Sequence, residues 1–206
     1  MSKSVIIDYG MANIGSVRGA LSYLGEDVEV SGDPWVVEAS DSLILPGVGS
    51  FGTAMAVLRT SGLAEAIVTS VKDRGAKILG ICLGMQLLAE YGTEGERTEG
   101  LGLVPGRVER FPERSGSKRL HIGFSVVDIT SRGVLFEGMS RGTEFYFVHE
   151  YRLTPEDFDA SWNLGFTDHG ERFVSAVQKG PVMGVQFHPE KSQTNGLALL
   201  ENFVKA

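Results

Sequence analysis

The chain has 206 residues, 42% of them hydrophobic and 22% charged, with a formal net charge of -7. That length suits one domain with a sizeable core, so residues 1–206 are expected to form a single unit. The acidic balance argues against nucleic acid or an anionic membrane as partner, no apolar run reaches the roughly eighteen residues of a membrane span, and a single cysteine excludes an intramolecular disulfide or a multi-cysteine metal site.

Val5-Ile6-Ile7 starts a strand almost at once, behind a polar N-terminus with no apolar signal core, which points to a cytoplasmic protein. Ile14, Val17, Leu21 and Leu24 recur at helical spacing with Gly25 to end the helix. A strand is expected over 27–30, a buried one at Leu43-Ile44-Leu45, and a helix through Leu63, Ile67 and Val71, closed by Gly75. Such alternation predicts an α/β fold, a mostly parallel central sheet flanked by helices. After Glu90 the texture changes. Residues 93–100 are polar and Gly-rich, and the short alternating segments 108–111, 122–127, 145–148, 162–166, 173–177 and 182–187 read as additional antiparallel strands beside the parallel sheet. A helix through Leu197, Leu200, Phe203 and Val204 follows, and no repeat or linker interrupts the chain.

The stretch Lys77-Ile78-Leu79-Gly80-Ile81-Cys82-Leu83-Gly84-Met85-Gln86 organises the rest. An apolar strand runs to Cys82, glycines stand two residues to either side, and helical spacing resumes at Leu83, Leu87 and Leu88. This is the pattern of a nucleophile elbow, in which small neighbours let the chain double back tightly. A thiol at a helix N-terminus would meet free N–H groups and the positive end of the dipole, both of which favour the thiolate. Of four histidines, His188 stands out because Glu190 lies two residues on, across a proline, where a carboxylate could orient an imidazole acting as acid or base. Glycines in Pro46-Gly47-Val48-Gly49 could turn N–H groups toward an oxyanion, together with the N–H of Leu83. No Gly-Lys-Ser/Thr follows, so a phosphate loop is not indicated.

Together the Cys82 elbow, the Pro46–Gly49 loop and Phe187-His188-Pro189-Glu190 resemble the triad-type (class I) glutamine amidotransferases. Asp8-Tyr9-Gly10-Met11, Met85, Tyr146-Phe147-Val148-His149 and His188-Pro189-Glu190-Lys191-Ser192-Gln193 are most similar to the glutaminases that serve histidine biosynthesis. The resemblance implies a flavodoxin-like fold and a cysteine glutaminase without metal or cofactor. Cys82 would be the nucleophile, His188 the acid and base, and Glu190 its orienter. Val48, Gly49 and Leu83 would supply or shape the oxyanion hole. Gln86, Glu94, His149, Glu150 and Tyr151 would hold L-glutamine. Lys191, with Ser192 and Gln193 beside it, would face a (β/α)8-barrel cyclase subunit that receives the ammonia. Two departures stand out: Glu150 replaces the usual Ser after His149, and Leu120-His121-Ile122-Gly123-Phe124-Ser125 replaces a Pro-x-x-Gly-Trp-Asn segment. The alternatives are the glutaminase of another synthase, such as that of pyridoxal phosphate, a cysteine peptidase or other thiol hydrolase on a similar scaffold, and a binding module with a vestigial site.

Overall fold

Val5 and Ile7 pack into one buried cluster and Ile6 into another, so the first strand is covered on both faces and its sequence is an unbroken apolar run. The structure, a computed structural model, describes residues 4–113, 119–130 and 133–206; residues 1–3, which entered the reading of the N-terminus, lie outside it. In chain order the elements are β1 (Ser4–Ile7), α1 (Ile14–Tyr23), β2 (Val28–Ser31), α2 (Pro34–Ala39), β3 (Ser42–Gly47), α3 (Phe51–Thr60), α4 (Leu63–Lys72), β4 (Lys77–Cys82) and α5 (Leu83–Leu87). Then come β5 (Tyr91–Gly92), β6 (Thr98–Glu99), β7 (Arg107–Arg110), β8 (His121–Ile129), β9 (Thr143–His149), β10 (Tyr151–Leu153), β11 (Asn163–Asp168), β12 (Arg172–Lys179), β13 (Val182–Val185) and α6 (Gln193–Lys205).

Five strands run parallel in the order β2-β1-β3-β4-β13, the flavodoxin-like arrangement. Side chains alternate between two cores. Leu43 and Leu45 of β3 meet Met55, Leu58 and Ile67 on the side of α2 to α5, whereas Ile44, Leu79 and Ile81 meet Leu21, Leu199 and Phe203 on the side of α1 and α6. Beyond β13 the sheet continues antiparallel through β12, β10 and β7. From β12 a second branch of β11, β8 and β9 folds over the α1/α6 face.

The expected α/β class is therefore present, with one correction in its antiparallel part. Segment 182–187 was expected to be antiparallel, yet β13 runs parallel to β4, Val182 opposite Ile78 and Gly184 opposite Gly80, and is antiparallel only to β12. It ends at Val185, so Gln186 and Phe187 leave the strand on the way to His188. Helices α2 and α3 were not anticipated, although Asp33 caps α2 by accepting the Trp35 N–H at 2.9 Å with Pro34 at the first helical position. No single helix among the described residues is long and apolar enough to cross a membrane.

Candidate active site

Gly47 at the end of β3 stands opposite Cys82 at the end of β4, and β13 delivers His188 alongside. The site thus forms at the carboxyl ends of three neighbouring parallel strands, where α/β sheets open a crevice. Cys82 has φ 54 and ψ -111, a conformation that side chains other than glycine rarely adopt. Its neighbours explain the glycines. A Cβ on Gly80 would lie 2.7 Å from the backbone nitrogen of Met85, and one on Gly84 only 1.7 Å from the Leu45 carbonyl oxygen. The helix that follows is shorter than its apolar spacing suggested, because Leu88 already lies outside it. The dipole argument for the thiolate therefore shrinks to the unpaired N–H groups of one turn, that of Leu83 first.

A cavity of about 260 Å³ opens over the elbow and is lined by Val48, Gly49, Cys82, Leu83, Gln86, Glu94, Val148, His149, Glu150, Tyr151, His188 and Lys191. Glu190 stands behind it, its Oε1 2.8 Å from His188 Nδ1, with both side chains almost fully buried. Burial pulls the His188 imidazolium down, but hydrogen bonding to Cys82 and Glu190 and their negative charge outweigh it and hold the group at about 9. His188 is clamped from behind. Its backbone N–H donates to Tyr146 O at 2.8 Å, and the Ser192 hydroxyl donates to His188 O at 2.6 Å while accepting the Tyr146 N–H at 2.9 Å. Ser192 is accordingly buried, not part of an outer face; Lys191 is exposed, its Nζ 5.9 Å from the centre of the Tyr146 ring.

Several of the other residues are already committed inside the protein. The Val48 N–H donates to Met11 O at 2.9 Å and so faces away from an oxyanion. Both amide hydrogens of Gln86 are used, on Tyr151 O at 2.9 Å and Gln186 Oε1 at 3.0 Å, leaving Oε1 for a ligand. Glu94 Oε2 accepts the Phe51 N–H at 2.7 Å and caps α3, whose own N-cap Ser50 makes no side-chain cap. Glu150 pairs with Arg110, in place of the small hydroxyl expected there. His149, held neutral by burial at about 3, donates Nδ1–H to Tyr151 O at 2.8 Å. Two side chains at the site had no assigned role in the sequence reading. Gln186 Nε2 lies 3.8 Å from Cys82 Sγ. The Tyr9 hydroxyl is buried with no hydrogen-bond partner among the described residues, and burial and then the charge of Cys82 push its pKa well up.

Residues 5–206 match the family model for "Glutamine amidotransferase class-I", and the chain belongs to that family. Its relatives narrow the group further. It is 47% identical over 203 residues to the "Imidazole glycerol phosphate synthase subunit HisH" of Moorella thermoacetica, covering 98% of this chain and 94% of that one. The subunit of the same description from Aquifex aeolicus is 45% identical, with 98% and 95% covered. The "Imidazole glycerol phosphate synthase hisHF, chloroplastic" of Arabidopsis thaliana is 39% identical, and its match covers 97% of this chain but only 33% of the plant protein. Among solved structures the fold is shared with "Structure of PurLQS from Thermotoga maritima" at 20% identity, a TM-score of 0.76, and 100% and 99% coverage. It is shared too with the glutaminase domain of Trypanosoma brucei CTPS with bound acivicin, at 17% identity, a TM-score of 0.70, and 100% and 94% coverage.

Proposed function

We infer that this chain is the glutaminase subunit of an imidazole glycerol phosphate synthase. It hydrolyses L-glutamine to glutamate and ammonia through a thioester on Cys82 and passes the ammonia to a cyclase subunit. The observation that carries the chemistry is a cysteine strained at φ 54 and a histidine that line one cavity, the histidine 2.8 Å from a buried carboxylate behind it.

The steps follow from these groups. The Cys82 thiolate attacks the side-chain amide carbon, and the oxyanion is stabilised by backbone donors, with Leu83 N–H at the head of α5 and Gly49 as candidates; one such donor contributes about 3 to 4 kcal/mol in comparable sites. Val48 N–H joins only if its peptide turns away from Met11 O. His188, protonated at neutral pH, gives its proton to the departing nitrogen, so ammonia leaves and the thioester remains. The same imidazole then takes a proton from water, which attacks the thioester carbon, and glutamate leaves as the thiolate re-forms. Glu190 keeps the imidazole oriented throughout. The free Oε1 of Gln86, His149, Tyr151, Glu94 and the Arg110-bound Glu150 border the space for the substrate's amino-acid end.

A partner follows from the product. Ammonia released into neutral water becomes ammonium, which has no lone pair for attack, so it must pass directly to its acceptor. The chain spans a third of the plant relative, which leaves room there for an acceptor domain on the same polypeptide. Beside the cavity, β8 turns Ile122, Phe124 and Val126 outward, 59%, 48% and 47% exposed, with the Phe124 ring edge-on to Tyr146. Three apolar side chains at alternate positions on a solvent face support docking of a partner there, and with Lys191 they would face a (β/α)8-barrel cyclase that yields imidazole glycerol phosphate and aminoimidazole carboxamide ribonucleotide. The setting is cytoplasmic, where a lone thiol stays reduced. The test is glutamate release with and without that cyclase and its nucleotide substrate: Cys82-dependent stimulation is expected, and release indifferent to the cyclase would redirect the pairing to another synthase.

A further inference from the structure

Among the described residues, Cys82 Sγ interacts with His188 and lies 3.9 Å from the Val148 carbonyl and 3.8 Å from the side-chain amide of Gln186. Gln186 is completely buried, sits just past β13, and belongs to none of the triad or cavity-lining roles above. Whether it presents N–H or C=O to the sulfur decides whether it favours or opposes the thiolate, and the surrounding hydrogen bonds answer that without reference to the sulfur.

A backbone carbonyl can only accept, so Tyr151 O fixes the first link. The Gln86 group 2.9 Å from it must be the amide nitrogen, and that NH₂ has a second hydrogen, directed at Gln186 3.0 Å away. The Gln186 atom facing it must then be the acceptor Oε1, which turns the Gln186 NH₂ toward Cys82. The other end of the chain is equally determined. His149 donates Nδ1–H to Tyr151 O, so its Nε2 is an acceptor, and His121 Nδ1, 3.0 Å away, must donate to it. His121 Nε2 then accepts the Ser125 hydroxyl at 2.8 Å. Burial holds both rings neutral, His121 at about 4 and His149 at about 3, as these tautomers require.

We propose that Gln186 is a positioning residue that donates its side-chain N–H to the Cys82 thiolate, its orientation dictated by Tyr151 O through Gln86, the same carbonyl oxygen on which a hydrogen-bond chain from Ser125 on β8 through His121 and His149 ends. The proposal rests on the glutaminase reading only for its consequence in turnover. The N–H favours the nucleophilic form of the sulfur and points it into the cavity, and because β8 carries the outward apolar face, docking there bears on the far end of the same chain.

Two replacements separate the roles of the amide. Gln186→Glu keeps an oxygen for Gln86 but removes the donor and sets a carboxylate against the sulfur; Gln186→Met keeps the length without any polar atom. In both, the rate of Cys82 alkylation by iodoacetamide at neutral pH is expected to fall about tenfold, the size of one hydrogen bond to a charged group. In the complex with the cyclase, kcat should fall by a similar factor while KM for glutamine in Gln186→Glu stays within about twofold, a split that a general loss of structure would not give. Wild-type alkylation rates in folded Gln186→Met would overturn the assignment. A readout independent of either variant is the Gln186 side-chain amide resonance, which should move in Cys82→Ala; an unmoved resonance overturns it too. Alkylation needs no glutamine, so a chain whose Cys82 responds to Gln186 yet releases no glutamate refutes the glutaminase reading and leaves this assignment standing.

Discussion

Gly84 and Leu45 meet backbone to backbone: a Cβ on Gly84 would stand 1.7 Å from the Leu45 carbonyl oxygen, which presses the elbow directly against β3. No rotamer relieves a clash with a main-chain atom in a packed sheet. Gly84→Ala should therefore destabilise the chain by about 3 kcal/mol or more and abolish glutamate release by displacing Cys82. Denaturant unfolding monitored alongside activity checks both.

The strain at Cys82 reverses an ordinary preference. Ala normally stabilises relative to Gly through the unfolded state, but at φ 54 and ψ -111 the side chain is disfavoured in the native one. Both Cys82→Ala and Cys82→Gly should lose glutamate release, and Cys82→Gly should be the more stable of the pair by about 1 kcal/mol. Thermal melts of the two variants give the comparison.

Glu190→Gln leaves the shape of the triad intact and removes the charge that supports the imidazolium. The expected result is a fall in kcat of about 10²-fold or more, with the upper limb of the pH–rate profile moving to lower pH than in the wild type, because the carboxylate that raises the His188 pKa is gone. An unshifted limb would mean that Glu190 does not govern His188.

Stability should peak near the ordinary histidine value. His188 is raised to about 9 in the folded chain, so its contribution is complete below about 6.5 and is lost as pH rises toward 9. His121 and His149 are lowered to about 4 and 3, so theirs is present above about 6.5 and is lost as pH falls toward those values. Each such histidine tilts the unfolding free energy by up to about 1.4 kcal/mol per pH unit inside its window. His121→Gln should flatten the acid side alone, as measured by urea unfolding across pH 4 to 9.

Phe124→Glu places a charge in the middle of the outward apolar face of β8, on a half-exposed ring that meets Tyr146 edge-on. Affinity for the cyclase should fall at least about thirtyfold, while Cys82 alkylation of the isolated chain stays at its wild-type rate. Titration calorimetry and the alkylation assay read the two effects separately.

Local pattern made the elbow, the histidine–carboxylate pair and the parallel frame legible in the sequence, since glycine spacing, i and i+2 neighbours and apolar runs are short-range signals. What stayed hidden depends on who lies across the fold. Val182-Met183-Gly184-Val185 reads alike in a parallel or an antiparallel strand, and only its pairing with Ile78–Ile81 makes it the fifth parallel strand. Glu94 caps a helix that begins 43 residues earlier, and Val48 gives its N–H to Met11, both facts of tertiary contact. Gln186, 104 positions from the sulfur it faces, looked like one more strand residue. Helix α2 was legible and overlooked, because Asp33-Pro34 is an N-cap followed by a proline at the first helical position.

The position of β13 between β4 and β12 also sets an order of events. Strand β4, with Cys82 at its tip, exists as sequence long before the strand that completes its edge and brings in Gln186, His188 and Glu190. During synthesis the thiol therefore has neither its proton partner nor its amide donor until β13 inserts, a late, long-range pairing of the kind that folds slowly. The cysteine at the tip of β4 thus meets His188, Glu190 and Gln186 only once the sheet has closed around β13.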